Sequence, residues 1–175
     1  MAANEFIPEC YIDTNLVETF LEMRGVNHQK GCNVVGKVMK EKFSDRFAVG
    51  IIDADKRPAS YSYEFDLIAE SKYIKLMKHP QRPHYMIVIS PAMDGFVLKC
   101  AEEAGLDISR YGFSPTLEGF ISQTKTVSSK DDYRFRSLFA ELQHHGEACR
   151  LKKLLEYLNE TRYGADVEVI KNIIE

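Results

Sequence analysis

The sequence predicts an α/β fold: a largely parallel sheet flanked by helices, with a C-terminal helical extension. Three observations predict it. Two apolar runs of strand length, Phe47 to Ile52 and Tyr85 to Ile89, are bounded by charge or proline, the pattern of strands buried on both faces. Segments whose apolar residues recur at helical spacing precede and follow these runs. From Ser114 onward the pattern is helical throughout.

Taken in order, Cys10-Tyr11-Ile12 reads as a first short strand that stops at Asp13-Thr14-Asn15, residue types that cap helices. A helix is expected next, with Leu16, Val17, Phe20, Leu21 and Met23 on or near one face and Arg24-Gly25 at its end. Val34, Val35, Val38, Met39 and Phe43 predict a second helix, with lysines on its polar side. The buried strand Arg46 to Ile52 is cut off by Asp53-Ala54-Asp55-Lys56-Arg57-Pro58. Phe65 to Ala69 and Tyr73 to Met77 predict two short strands joined by a turn at Glu70-Ser71-Lys72. After the strand His84 to Ser90, Pro91 is placed to open a helix from about Ala92 to Ala104, and Gly105 closes it. Three further helices carry Leu138, Phe139 and Leu142, then Leu151, Leu154, Leu155 and Leu158, then Val167, Ile170, Ile173 and Ile174. Residues 1–112 are thus expected to form the α/β core and residues 113–175 a helical extension packed on the same domain.

Length and composition exclude several classes. A chain of 175 residues with 45% hydrophobic and 28% charged residues buries a core without disulfide or zinc staples. No apolar stretch approaches the ~20 residues of a membrane helix, so no membrane partner is expected. Cys10, Cys32, Cys100 and Cys149 include no Cys-x-x-Cys pair and read as reduced thiols in a cytoplasmic protein. The five histidines show no zinc-hydrolase spacing, and no glycine-rich phosphate loop occurs. A net charge of -3 argues against a generic nucleic-acid coat, whose affinity comes from neutralising phosphates. It leaves room for an enzyme that meets a polyanion through metal ions.

Ile51-Ile52-Asp53-Ala54-Asp55 carries the strongest chemical signal. Two carboxylates one residue apart, where a buried strand ends, emerge at the rim of a sheet and suit an oxygen-liganded cation such as Mg²⁺ or Mn²⁺. The bland reading is a solvated Asp-rich turn. Asp13 ends the first predicted strand, and parallel strands bring their carboxyl ends to one edge, so it is expected to join the pair. Its bland reading is a helix N-cap. Glu18, one turn into the following helix, is a candidate outer ligand, against the bland reading of an exposed helical Glu. Lys56 and Arg57, directly after the pair, and Lys72 and Lys75, in a stretch from Ser71 to Met93 with no acid before Asp94, are candidate phosphate-binding residues. Lysines that guard an edge strand against aggregation explain the last two equally well.

Tyr11-Ile12-Asp13-Thr14-Asn15, a βα unit and then Val49-Gly50-Ile51-Ile52-Asp53-Ala54-Asp55-Lys56 resemble the Toprim domain of topoisomerases, primases and overcoming-lysogenisation-defect nucleases. The resemblance spans about residues 8 to 100, and the second motif is its specific part. It implies a Rossmann-like Toprim fold and a metal-dependent nuclease acting on DNA or RNA, with Asp13, Asp53 and Asp55 catalytic and Mg²⁺ or Mn²⁺ as cofactor. The family's Glu-Gly is here Asp13-Thr14, which shortens the first carboxylate's side chain. The further acid of the nuclease members is here Val17, for which the resemblance offers Asp94 as a substitute metal ligand, explained equally well as an acidic helix start. The alternative it implies is a catalytically impaired Toprim-like module that binds nucleic acid, or a larger protein partner through the C-terminal helices. A haloacid-dehalogenase-like phosphatase, with Asp53 as nucleophile and Asp55 as acid, wants Thr or Val soon after the pair on an early strand. Lys56-Arg57-Pro58 follows here, and a full βα unit precedes.

Overall fold

The computed structural model describes residues 4–54 and 57–175. Its centre is a five-stranded sheet of order β1-β2-β5-β4-β3, with β1 at Phe6–Pro8, β2 at Ala48–Asp53, β3 at Asp66–Glu70, β4 at Ile74–Lys78 and β5 at His84–Ile89. Strands β1, β2 and β5 run parallel, while β4 lies antiparallel to β5 and to β3. The sheet is therefore mixed: a three-stranded parallel half carries an antiparallel hairpin on its far edge. Asp53 pairs with Ile89 and Pro8 with Ile51, so the carboxyl ends of the parallel strands share one edge. Ile74 of β4 pairs with Ile89, which brings the β3–β4 turn to that same edge.

The helices are α1 at Tyr11–Phe20, α2 at Cys32–Val38, continued by a π-helical turn Met39–Phe43, α3 at Met93–Glu103, α4 at Leu117–Thr124, α5 at Tyr133–Leu142, α6 at Gly146–Thr161 and α7 at Val167–Ile174. Strand alternation divides the core in two. Val49 and Ile51 of β2 face a cluster with α1, α3, α5, α6 and α7, whereas Ala48 and Ile52 face a smaller one with α2 and the 3₁₀ turn Ser60–Glu64. Phe120, Phe135, Leu138, Phe139 and Leu155 are wholly buried in the same cluster as Leu16 and Ile87, so the helices after residue 113 share one core with the sheet. Buried Asn15 adds a polar tie: its Nδ2 donates to the carbonyls of Ser129 at 2.8 Å and Asp132 at 3.1 Å.

Two elements begin elsewhere than the sequence predicts. The first strand is Phe6–Pro8, and Cys10-Tyr11-Ile12 belongs to the helix start, with extended Cys10 as N-cap. Proline is compatible with β1 because β1 is an edge strand, where one missing donor costs no internal ladder bond. Asp13, Thr14 and Asn15 thereby move from a capping loop into the first turns of α1 and are buried. Helix α3 begins at Met93, two residues after Pro91, with extended Ala92 as its cap residue. Its capping oxygen arrives from β2, because Asp53 Oδ1 accepts from Met93 N–H at 2.8 Å.

Close packing of α2 makes one glycine diagnostic. A Cβ on Gly36 would lie 2.9 Å from Tyr61 Cβ, an atom that no rotamer change moves away. Gly36→Ala gains up to about 1 kcal/mol of helix propensity. Overpacking costs about 1–3 kcal/mol, so the net change is expected to be destabilising, read as a lower urea midpoint at unchanged m-value.

Candidate functional site

A cleft of about 470 Å³ opens at the carboxyl edge of the parallel strands. Glu9, Cys10 and Tyr11 line it from the β1–α1 junction, Asp53 from the end of β2 and Asp94 from the first turn of α3. His28 and exposed Lys30 come from the loop before α2, with Thr124 and exposed Lys125 from the end of α4. The chain folds this way locally because each apolar parallel strand gives way to a polar residue at this edge, Glu9 after β1, Asp53 at the end of β2 and Ser90 after β5. Asp53, in phase with Val49 and Ile51, projects toward the α1 and α3 side.

Asp13 sits behind the cleft wall with no solvent exposure. Its Oδ1 accepts a hydrogen bond from the Cys10 thiol at 2.9 Å, and its Oδ2 is buried without a hydrogen-bond partner. Burial raises its pKa well above the usual carboxylate value, and the negative charges of Asp53, Glu9 and Asp94 push it further. The Cys10 thiol is held protonated, first by burial and then by Asp13. Burial also raises Asp94, against the opposing Thr124 hydroxyl and Lys125, and its Oδ1 is a second buried oxygen without a partner. Asp53 caps α3, where the positive end of the helix dipole favours a carboxylate. Glu9 Oε2 accepts from the Asp53 backbone N–H at 3.0 Å and so fixes the strand end.

The structure thus brings Asp13, Asp53 and Asp94 to one place, and it adds Glu9. Glu9 escapes sequence reasoning because displacing the first strand by four residues hides the fact that it is the first residue after β1. His28, Lys30 and Lys125 had no signal of their own. His28 stacks on Tyr11 at 4.6 Å, lies 3.0 Å from the Thr14 hydroxyl and has its pKa lowered by burial.

Glu18 is placed elsewhere. Its carboxylate accepts from Gly25 N–H at 2.8 Å and pairs with Arg24 at 3.4 Å and Arg136 at 3.7 Å, which ties the end of α1 to the following loop and to α5. Lys72 is ion-paired with Glu103 and lies 4.9 Å over the Tyr73 ring. Lys75 pairs with Glu70 at 3.6 Å, both side chains being 54% exposed, and borders a second cleft described below. Arg57 is exposed, and its backbone carbonyl accepts from the Cys32 thiol at 3.8 Å. Asp55 and Lys56 lie outside the described residues.

Among the described residues, no three His, Cys, Asp or Glu side chains are grouped closely enough to form a metal-ligand set by themselves. The donor chemistry nevertheless fits a hard divalent cation. The acids present only oxygen, and Asp13 and Asp94 each bury one oxygen that no protein group satisfies. Mg²⁺ characteristically takes one or two carboxylates and completes its shell with water and phosphate oxygens, so a set of three is not required. Among the described residues, no helix is long and apolar enough to cross a membrane. No protein-family model matches the chain, and neither does any curated protein or solved structure.

Proposed function

We propose that this chain is a metal-dependent phosphodiester nuclease of the Toprim type, acting on DNA or RNA with Mg²⁺ or Mn²⁺. One observation carries the reading: a wholly buried Asp13 with an unpartnered oxygen, raised in pKa first by burial and then by its acidic neighbours, stands directly behind a cleft lined by Asp53, Asp94 and Glu9. A proton relieves that repulsion while the site is empty, and a divalent cation displacing the proton would do the same.

Asp13 and Asp53 would hold the cation, with Asp94 and Glu9 orienting the waters around it. When bound, the cation supplies charge stabilisation to the transferring phosphate and lowers the pKa of water. Lys30 and Lys125 stand at the mouth of the cleft, where ammonium groups meet phosphate oxygens.

Calorimetric titration of the full chain with MnCl₂, together with cleavage of labelled single- and double-stranded DNA and RNA with and without Mn²⁺, tests the reading. Binding and Mn²⁺-dependent cleavage are the expected results. Wild-type protein that neither binds Mn²⁺ nor cleaves any of these substrates would remove it. The second reading, a catalytically impaired module that binds nucleic acid or protein, would then lead. It is favoured by the Cys10–Asp13 hydrogen bond, which gives Asp13 a partner in the absence of any cation.

A further inference from the structure

A second cleft of about 500 Å³ meets the first at Asp53, which lines both. It lies on the opposite face of the sheet because Ile52, the residue before Asp53, projects there along with Met77 and Val88. Helix α2 covers this face only over β1 and β2, where Ile7, Ala48 and Ile52 pack beneath Val35 and Met39. Over β3 and β4 none of the described α-helices covers this face. Leu67 is consequently 50% exposed, and Tyr63 presents its ring to solvent at 77% exposure.

The backbone on either side of Tyr63 is held by its neighbours. Its neighbour Tyr61 is buried and hydrogen-bonded to His84 Nδ1 at 2.8 Å, the Ser62 hydroxyl donates to Ala59 O at 2.6 Å, and Phe65 packs edge-on against Tyr61 at 5.0 Å. The 3₁₀ turn is therefore pinned by the residues on either side of Tyr63, and Tyr63 lines the cleft together with Phe65 and Leu67. Lys75, on the same wall, has only a solvent-exposed ion pair to give up, an interaction worth little.

An acidic, lysine-rimmed cleft and an apolar, aromatic one that meet at Asp53 suit a ligand in which a phosphate is joined to a flat apolar body. A strand of nucleic acid with its bases unstacked is such a ligand, and the apolar volume lies within the range of ordinary ligand sites. Resting on the nuclease reading above, we infer that the second cleft is a base-binding subsite. It receives a base flanking the phosphodiester held at Asp53, stacked on Tyr63 and packed against Leu67, with Lys75 on the adjoining phosphate. In a duplex that base is paired and stacked, and extracting it costs a few kcal/mol. The subsite therefore makes the chain selective for single strands.

The test measures fluorescence anisotropy of a labelled 12-nucleotide single strand and of its blunt duplex, in Ca²⁺, with the full chain and with Tyr63→Ala and Leu67→Glu. Both positions are exposed, so neither change is expected to disturb folding, and the thermal midpoint of each variant checks this. The single strand should bind the wild type at least about tenfold more tightly than the duplex. Tyr63→Ala should weaken single-strand binding by about 5- to 150-fold, the range for one base–aromatic stack, while leaving duplex binding unaltered. Adenosine monophosphate should displace the strand at concentrations where ribose 5-phosphate, which lacks the base, does not. Equal affinity for the two forms, or single-strand binding indifferent to both substitutions, overturns the subsite even where Mn²⁺-dependent cleavage is intact. A wild type that neither binds nor cleaves either form overturns the nuclease reading as well.

Discussion

Asp53→Asn is expected to lower Mn²⁺-dependent cleavage by at least about a hundredfold in kcat/KM while leaving the fold in place. Loss of an outer partner of a metal site already costs about 10- to 100-fold, and a carboxylate that itself faces the cation should cost more. The substitution separates two roles of one side chain. Asp53 Oδ1 accepts the Met93 N–H that starts α3, and the amide oxygen of Asn can accept the same bond. Its charge is what disappears. Because Asp53 is the neighbouring charge that most raises the pKa of Asp13, that pKa should fall in the variant. Asp53→Ala should be as inactive as Asp53→Asn but less stable by about 0.5–2 kcal/mol, since it also removes the helix cap. Thermal midpoints and initial rates measured on both variants decide the matter. An Asp53→Asn protein that cleaves at the wild-type rate would exclude this cleft as the catalytic site.

Asp13→Asn is expected to raise stability in metal-free buffer at neutral pH and to abolish the response to divalent cations. Burial and three acidic neighbours hold the folded-state pKa of Asp13 above its unfolded value of about 3.9. Between those two values the folded protein binds the extra proton. Wild-type stability therefore falls as pH rises through that window and levels off above the folded pKa. Asn carries no such penalty, so its advantage should be absent near pH 4 and grow as the pH rises through the folded-state pKa of Asp13. Each unit by which the folded-state pKa is raised is worth about 1.4 kcal/mol once the carboxyl must ionise, which sets the scale of the gain. For a chain of this size each kcal/mol moves the thermal midpoint by about 2–4 °C. Adding Mn²⁺ should stabilise the wild type more at pH 8 than at pH 5, because the cation competes with the proton on Asp13, and should leave Asp13→Asn unmoved. A wild type whose midpoint ignores both pH and Mn²⁺ would make Asp13 a buried structural acid only.

Local pattern made much of the chain legible. Periods of two and of 3.6 residues are written directly in the order of apolar residues, so β2, β5, the β3–β4 hairpin and the C-terminal helices fall close to where the sequence puts them. The first strand did not, because both Phe6-Ile7 and Tyr11-Ile12 are apolar, and Pro8 marks an end only once β1 is known to be an edge. Glu18 shows the same limit. An exposed helical Glu and one buried between two arginines have the same sequence signature, and only the packing of α5 against α1 brings Arg136 to it.

By itself, the sequence determined that this is an α/β chain and that Asp53 stands where a buried strand ends, since a strand enclosed on both faces stops at its first charge. Tertiary structure alone decided that Asp13 is buried rather than capping a loop, that Glu9 and Asp94 join it, and that Asp53 both caps α3 and stands where two unlike clefts meet. The reason is physical: periodicity records which face a residue occupies on its own element, whereas the charge and solvent it meets there depend on strand pairing between segments about 40 residues apart.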